Sequence, residues 1–246
     1  TKFNVKTASR VAENLAKWHV KTGLLGLTIR DVRAQLESNC LLYPGIRDNM
    51  GHQVLFMRPG LFFPGKDSLD ELVRSHIYLL QCLTEDEETA TTGLTFVADM
   101  GNPAWGWSNW GVRYAKTFFD TMQGRYPIRC RKFVILGPPG WFGMCWKVIK
   151  TWLSADFAAK VIMPGKDAIS EIFPDKAHLP TEFGGQLDLN AAMRDFIKYR
   201  YKVENLDYDA PYSRPTGKPG MTVGEADMEE EDDGDDDDNG GKPPGQ

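Results

Sequence analysis

The sequence predicts an α/β protein whose mixed, mainly parallel sheet is covered by helices. Two helical patterns come first, and four short apolar segments then alternate with further helical patterns. Such alternation is typical of parallel strands joined by crossover helices. The segment 132–137, KFVILG, is apolar almost throughout, as expected of a strand that is covered on both faces.

The individual elements follow from hydrophobic spacing and capping residues. The first helix is expected at 7–21, where Val11, Leu15 and Trp18 recur at spacings of four and three residues. A second helix is expected at 28–39, with the hydroxyl of Thr28 capping the amide of Asp31. Strands are expected in four segments, 52–58, 94–100, 132–137 and 158–164. The remaining helices are expected at 67–83, 104–122, 141–153, 165–173 and 189–201.

Two polar residues inside these elements are expected to be structural. His76 lies on the apolar stripe of the helix 67–83, which favours a buried imidazole with satisfied hydrogen bonds. Asp99 stands at the end of a strand, where a carboxylate commonly caps the following turn.

Charge and composition divide the chain into three expected parts: a helical lobe at 1–40, an α/β domain at 41–206 and a disordered acidic tail at 207–246. Eleven of the 34 acidic residues lie within 225–238, so residues 1–224 carry 23 acidic and 28 basic side chains. The mildly basic body suits an anionic surface, either lipid or nucleic acid, but the charge fits a merely solvated surface with a solubilising tail at least as well. We also hypothesise that the acidic tail competes with anionic lipid for this body.

Several functional classes find little support. No apolar run approaches the roughly 18 residues of a membrane span, and the polar, basic start of the chain is unlike a signal peptide. The cysteines lack zinc-site spacing and are expected to be buried thiols in a reducing compartment. They are Cys40, Cys82, Cys130 and Cys145.

Two segments approximate catalytic motifs without matching them. GLFFPGKDS, at 60–68, is close to a phosphate-binding loop, but Asp67 stands where a Mg²⁺-ligating hydroxyl belongs. Asp67 is better explained as a helix N-cap. GWSNWG, at 106–111, has one residue too many for a nucleophile elbow. We therefore expect no enzyme activity, no metal and no cofactor.

The helix expected at 141–153 is unusually apolar. At 100° per residue its apolar side chains fill an arc of about 160°, or about 200° with Met144, whereas a surface helix commonly buries about 100°. The excess indicates a second apolar contact, such as a ligand, a partner or a bilayer, or a helix that is buried all round. Because exposed apolar surface is unfavourable, we expect this face to be covered when the protein is closed.

Four segments taken in order resemble one family. They are KFNVKTASRVAENLAKW near the start, GLTFVADM at 93–100, RYPIRCRKFVILGPPGWFGMCWKVIKTWL at 125–153, and LPTEFGG at 179–185. Together they resemble the CRAL-TRIO lipid-binding domain of phosphatidylinositol, phosphatidylcholine, tocopherol and retinaldehyde carriers. The resemblance spans 2–198 and lacks the first helix of the family's N-terminal lobe, so we expect a truncated lobe and a piece of a longer protein.

The resemblance implies a hydrophobic pocket floored by the sheet, with the apolar helix as a gate that opens at a membrane. The implied lipid-binding residues are Leu55, Met57, Leu94, Phe96, Ala98, Met122, Ile128, Phe133, Ile135, Phe157 and Lys160. The implied gate residues are Trp141, Phe142, Met144, Cys145, Trp146, Ile149 and Leu153.

The headgroup positions of the family are altered. Lys160 matches the lysine of inositol-binding members, but Ile128 and Phe157 replace their glutamate and threonine. Leu94 and Phe96 replace the small hydroxyl residues of choline-binding members. Because an apolar lining cannot satisfy a buried phosphate, we expect either a less polar ligand or a phospholipid whose headgroup stays at the rim near Lys160.

The expected function is binding, and transfer or presentation, of a single phospholipid or isoprenoid-like lipid. The expected partners are that lipid and an anionic membrane surface, with peripheral attachment from the cytoplasm, no nucleic acid, and possible attached domains. The alternative is a membrane-targeting or regulatory interaction module of a larger protein with little transfer activity.

Overall fold

The computed structural model describes residues 5–63, 66–101, 111–126, 128–165 and 169–210. Within these ranges the protein is α/β, as the sequence predicts. The α-helices there are α1 (Val5–Thr22), α2 (Ile29–Glu37), α3 (Leu69–Thr84), α4 (Glu87–Thr92), α5 (Val112–Asp120), α6 (Phe142–Trp152), α7 (Ala155–Ala158), α8 (Ile169–Ile172) and α9 (Leu189–Val203). Short 3₁₀ turns lie at Pro59–Leu61 and Thr181–Phe183, and a π-helical turn, Thr121–Arg125, continues α5.

The described strands form one five-stranded sheet in chain order. They are β1 (Leu41–Leu42), β2 (Gln53–Met57), β3 (Leu94–Asp99), β4 (Cys130–Leu136) and β5 (Val161–Ile162). β1 is antiparallel to β2, and the other neighbours are parallel. The prediction of a mixed, mainly parallel sheet is therefore confirmed. β1 was not predicted, because two residues are too short to show a period.

The central strands are covered on both faces. Every residue of β2 is buried, and so are the first five of β3. Phe56 of β2 stacks on Phe173, which follows α8, at 5.8 Å between ring centroids. Because side chains alternate along a strand, Leu55 and Met57 lie on the opposite face, toward the candidate site. Burial on both faces explains the near-continuous apolar strand sequences.

Polar residues at the element ends differ in part from expectation. The carboxylate of Asp31 accepts hydrogen bonds from the amide of Thr28 at 2.8 Å and from its hydroxyl at 2.7 Å, so that hydroxyl is a donor. The N-cap of α3 is Ser68, and the expectation for Asp67 was wrong. The carboxylate of Asp67 accepts from the amide of Phe63 at 2.7 Å, which stabilises the preceding turn. Asp99 accepts from the amide of Gly101 at 3.0 Å, as expected.

Helix α9 is attached to the C-terminal end of α3 by a polar cluster in which Arg200 is buried and Glu85 is exposed. The guanidinium of Arg200 donates to both carboxylate oxygens of Glu85, at 2.7 and 3.0 Å, and to the hydroxyl of Tyr78 at 3.0 Å. Glu204 accepts from Arg200 at 3.0 Å and completes the cluster. Such bidentate, charge-assisted bonds fix the position of α9 on the helical layer.

Some predicted features lie outside the described residues. The helix expected at 104–122 is described from Val112 onward, most of GWSNWG falls within 102–110, and the acidic tail expected at 207–246 is described only as far as Ala210. The helix expected at 165–173 is described from Ile169 onward. Within the described part of the chain, every helix is too short or too polar to cross a bilayer.

Candidate functional site

The sheet supplies the floor of an apolar cavity. In the registers of β2, β3 and β4, Met57 lies beside Ala98, and Ala98 lies beside Ile135. Phe133 lies two residues before Ile135 and therefore on the same face of the sheet. These four side chains line the cavity. All four were predicted as lipid-binding residues, and that role stays a prediction.

Helices α5 and α6 form the opposite wall. The described lining residues from these helices and the nearby turns are Pro59, Phe62, Met100, Gly111, Tyr114, Ala115, Phe118, Phe119, Phe142 and Ile149. Phe142 and Ile149 belong to the predicted gate helix, and the others were missed. The sequence of α5 does indicate this wall. Two pairs of residues spaced by four lie on one face of the helix: Tyr114 with Phe118, and Ala115 with Phe119.

The cavity is small, with a volume of about 80 Å³. Binding pockets for small molecules commonly measure about 300 to 1,000 Å³. Aromatic rings occupy much of the space between the sheet and the helices. Phe118 and Phe119 of α5 lie 5.7 and 5.6 Å from the ring of Phe133. A ligand of lipid size would therefore need α5 or α6 to move outward.

Seven of the predicted lipid-binding residues do not line the cavity. They are Leu55, Leu94, Phe96, Met122, Ile128, Phe157 and Lys160. The first six are buried in the surrounding core. Phe157, for example, lies behind Phe119, with ring centroids 5.8 Å apart.

Lys160 differs from the other six because it is charged and partly exposed. Its Nζ lies 2.6 Å from a carboxylate oxygen of Asp156, one helical turn earlier. The ammonium is thus already paired with an acid of its own segment. The predicted contact between Lys160 and a headgroup remains a prediction.

Helix α6, the predicted gate helix, presents two different faces. Phe142, Cys145 and Ile149 are buried, and Phe142 and Ile149 reach the cavity. Met144 and Val148 are 60% and 50% exposed. The expectation that the excess apolar arc is covered was therefore wrong for these two residues. The buried residues occupy the face of α6 that is turned toward the sheet. Met144 and Val148 are four residues apart, so they lie together on the opposite face.

The remaining gate residues flank these two faces. Trp141 and Leu153 cap the ends of α6 and are half-buried, as is Trp146. The ring of Trp146 stacks near that of Phe142, and Lys150 places its Nζ 5.5 Å from the Trp146 centroid. This cation–π contact places an aromatic ring and a cation next to each other on α6, the helix that also carries the exposed residues Met144 and Val148.

One polar side chain lines the described part of the cavity. The hydroxyl of Tyr114 is buried and has no hydrogen-bond partner among the described residues. Burial raises its pKa well above the usual value, and the nearby thiol of Cys40 acts in the same direction. The phenol is therefore neutral and able to donate.

His76 is a second buried polar group near the site, and its expected hydrogen bonds are not found. Neither ring nitrogen has a partner among the described residues. The imidazole packs edge-on against Phe118 at 4.8 Å and stacks on Phe96 at 6.2 Å. Burial lowers its pKa to about 3, so the ring is neutral at physiological pH.

The environment of the cysteines does not favour a reactive thiolate. Cys40, Cys130 and Cys145 are buried and Cys82 is half-buried, and all four are free thiols. Burial raises the pKa of Cys40 and of Cys130 to about 12, which disfavours the reactive thiolate. Among the described residues, no group of three or more His, Cys, Asp and Glu side chains could hold a metal ion.

Comparison with curated proteins gives several partial matches. Human tyrosine-protein phosphatase non-receptor type 9 is 23% identical over 197 residues, which cover 79% of this chain and 33% of that protein. Mouse alpha-tocopherol transfer protein-like is 29% identical over 164 residues, covering 61% of this chain and 48% of that protein. Rat clavesin-1 is 24% identical over 195 residues, which cover 71% of this chain and 52% of that protein. The chain thus spans between a third and about half of the length of these relatives.

Comparison with solved structures supports the fold. The crystal structure of Sfh5 matches with a TM-score of 0.60 at 16% sequence identity, covering 85% of this chain and 80% of that one. A family model described as the CRAL/TRIO domain matches residues 36–185, which is more than half of the chain. The resemblance seen in the sequence is thereby confirmed, and the chain belongs to the CRAL/TRIO domain family.

Proposed function

We propose that this chain is a non-catalytic module that takes up a single hydrophobic lipid between its sheet and helices α5 and α6, with α6 as the gate. The observation that carries the proposal is the composition of the cavity. Thirteen of its fourteen described lining residues have apolar side chains or none, and they come from both the sheet and the helices. A concave site of this kind favours an apolar ligand. One relative is named alpha-tocopherol transfer protein-like, and this name agrees with a lipid cargo.

Uptake of the lipid requires the site to enlarge. The cavity of about 80 Å³ is too small for a whole lipid, and the α6 side chains Phe142 and Ile149 form part of its wall. Outward movement of α6 would remove both from the cavity and open a path from the surface. The cost of exposing their apolar surface would fall if α6 moved into a bilayer.

The exposed face of α6 suits this contact. Met144 and Val148 present apolar surface, while Lys147 and Lys150 on the same helix are exposed cations. An apolar patch beside basic residues binds at the interface of membranes that contain anionic lipid. We therefore include peripheral attachment to an anionic, cytoplasm-facing membrane in the proposal.

Transfer between vesicles tests this function. Donor vesicles would carry a self-quenched fluorescent lipid, and acceptor vesicles would carry none. We expect fluorescence to recover at a rate proportional to the protein concentration, and faster when the vesicles contain anionic lipid. A rate equal to that without protein would contradict transfer.

A second candidate function is membrane targeting within a larger protein. Two observations favour it: the small cavity, and the match to only a third of a protein named as a tyrosine phosphatase. In that case α6 would bind the membrane and the cavity would stay closed. Binding to vesicles with no lipid captured or transferred would support this alternative over the first.

A further inference from the structure

Helix α9 carries a row of exposed basic side chains. Arg194, Lys198 and Lys202 recur every four residues, so they lie one above another on one face of the helix. Within the described part of the chain, no acidic side chain forms an ion pair with any of the three. No other helix in that part has three basic residues at this spacing.

The row does not stabilise α9 by itself. Like charges one turn apart on a helix repel each other, and Asp195 is the one acidic residue on this exposed side of α9. Three basic residues and one acidic residue leave the face with an excess of positive charge. The face therefore suits an acidic partner.

The described chain ends beside this helix. After α9 the backbone turns back, and the amide of Leu206 donates to the carbonyl oxygen of Tyr201 at 2.9 Å. The ring of Tyr208 then packs edge-on against that of Tyr201, with centroids 5.2 Å apart. The segment that follows Ala210 thus starts next to the carboxyl end of α9.

The acidic segment 225–238 is within reach of the row. Glu225 lies 15 residues after Ala210. A chain of that length spans up to about 50 Å when it is extended. The row itself is only about 12 Å long, since each helical residue rises 1.5 Å.

The acidic segment also matches the spacing of the row. Residues 229–233, EEEDD, are five consecutive acids. Alternate side chains of an extended chain lie on one side, about 6.6 Å apart. Residues four apart on a helix are separated by about 6 Å along its axis. Glu229, Glu231 and Asp233 can therefore each approach one basic residue of the row.

We propose that the acidic segment 225–238 docks on the exposed face of α9, with 229–233 along Arg194, Lys198 and Lys202. The occupant of this face is the same chain's own segment. The contact is electrostatic and exposed, so it weakens as the salt concentration rises. The proposal does not depend on the lipid-binding function.

Zero-length cross-linking of the full chain tests this contact, because a carbodiimide joins a carboxylate only to an amine that touches it. Mass spectrometry would measure the yield of cross-links between 225–238 and each exposed lysine. We expect about fivefold more at Lys198 and Lys202 than at Lys6 and Lys17 of α1, because a tethered segment is concentrated at its docking site. The preference should disappear at roughly 0.5 M salt, where exposed charges are screened.

Arg194 offers a substitution that does not remove a cross-linked amine. Arg194→Gln should lower the yield at Lys198 and Lys202 about two- to threefold, because one exposed charge pair is lost. Arg10→Gln, at an exposed arginine of α1, is the matched control and should leave the yield unchanged.

Three results would overturn the proposal. The first is an equal yield at the lysines of α1 and α9, and the second is an unchanged yield in Arg194→Gln. The third is found by mixing isotope-labelled and unlabelled protein. Cross-links that join two chains in this mixture would show that the segment docks on a second copy and not on its own α9.

Discussion

The side-chain amide of Gln123 donates a hydrogen bond of 3.0 Å to the carbonyl oxygen of Trp152, the last residue of α6. The side-chain oxygen of Gln123 accepts from the amide of Ser154 at 2.7 Å. Backbone groups at the end of a helix lack partners within the helix. Gln123, in the π-helical turn, supplies partners for two of them, the carbonyl of Trp152 and the amide of Ser154. Gln123 therefore anchors the carboxyl end of α6, the proposed gate helix, and such π-helical turns often occur at functional sites.

Replacement of this anchor should loosen the end of α6. We expect Gln123→Ala to lower the free energy of unfolding by about 1–2 kcal/mol, because two hydrogen bonds are lost. Amide hydrogen exchange should become faster in the segment 150–154. Gln186→Ala, at an exposed glutamine, is the matched control. Equal exchange in the two variants would show that Gln123 does not hold the helix.

A charge on the exposed face of α6 should weaken membrane contact. Val148 and Val203 are 50% and 49% exposed, so Asp at either position should leave the fold intact. We expect Val148→Asp to lower vesicle binding and transfer about tenfold or more, because the apolar contact is lost and a charge enters the interface. Val203→Asp, on α9, should behave like the wild type. Similar losses in both variants would mean that α6 is not the membrane-binding surface.

Acid should destabilise the protein through His76. Its pKa of about 3 in the folded protein lies below the roughly 6.5 of an unfolded chain, so the unfolded state takes up a proton first. Stability is then complete above about pH 6.5 and falls as the pH drops toward 3, by about 2 kcal/mol between pH 7 and pH 5. Burial also lowers the pKa of His19, which adds to the loss.

Urea unfolding at pH 7 and pH 5 would measure this effect. His76→Leu should remove the part of the pH dependence that comes from His76, and His178→Asn, at an exposed histidine, should retain it. If His76→Leu lost as much stability on acidification as the wild type, the imidazole would not be the group responsible.

The acidic tail should oppose binding to anionic membranes. Residues 225–238 carry 11 acidic side chains, and residues 1–224 have five more basic than acidic ones. Deletion of 225–246 should therefore tighten sedimentation with anionic vesicles, and the difference should shrink in high salt. Equal binding with and without the tail at low salt would refute this competition.

The sheet was predictable because short apolar segments alternate with helical patterns, although burial on both faces hides any period of two in the central strands. The cavity-lining residues Met57, Ala98, Phe133 and Ile135 were implied by the resemblance to the CRAL-TRIO family, because strands that are apolar throughout do not separate one face of the sheet from the other. The contribution of α5 was missed, although Tyr114 and its neighbours occupy one helical face, because such a face looks the same in the sequence whether it packs on a core or lines a cavity. The lack of hydrogen-bond partners for His76 within the described part of the chain could not be predicted, since hydrogen bonding in a core depends on three-dimensional packing.

Lys160 shows a limit of assigning the role of a residue from a family resemblance. Its spacing of four from Asp156 in the sequence already favoured an ion pair between them, and the structure contains that pair. The resemblance to inositol-binding relatives suggested a headgroup contact instead. A motif match at one position therefore needs to be weighed against the local partners of that residue.

The lipid content of the protein tests the central claim most directly. After incubation with vesicles of mixed membrane lipids and separation from them, native mass spectrometry would measure the number of lipids bound per chain. We expect one lipid per chain in the wild type. We also expect loss of binding in Ala98→Leu, whose longer side chain fills the small cavity. If the wild-type protein bound the vesicles but carried no lipid after its separation from them, the result would contradict the account.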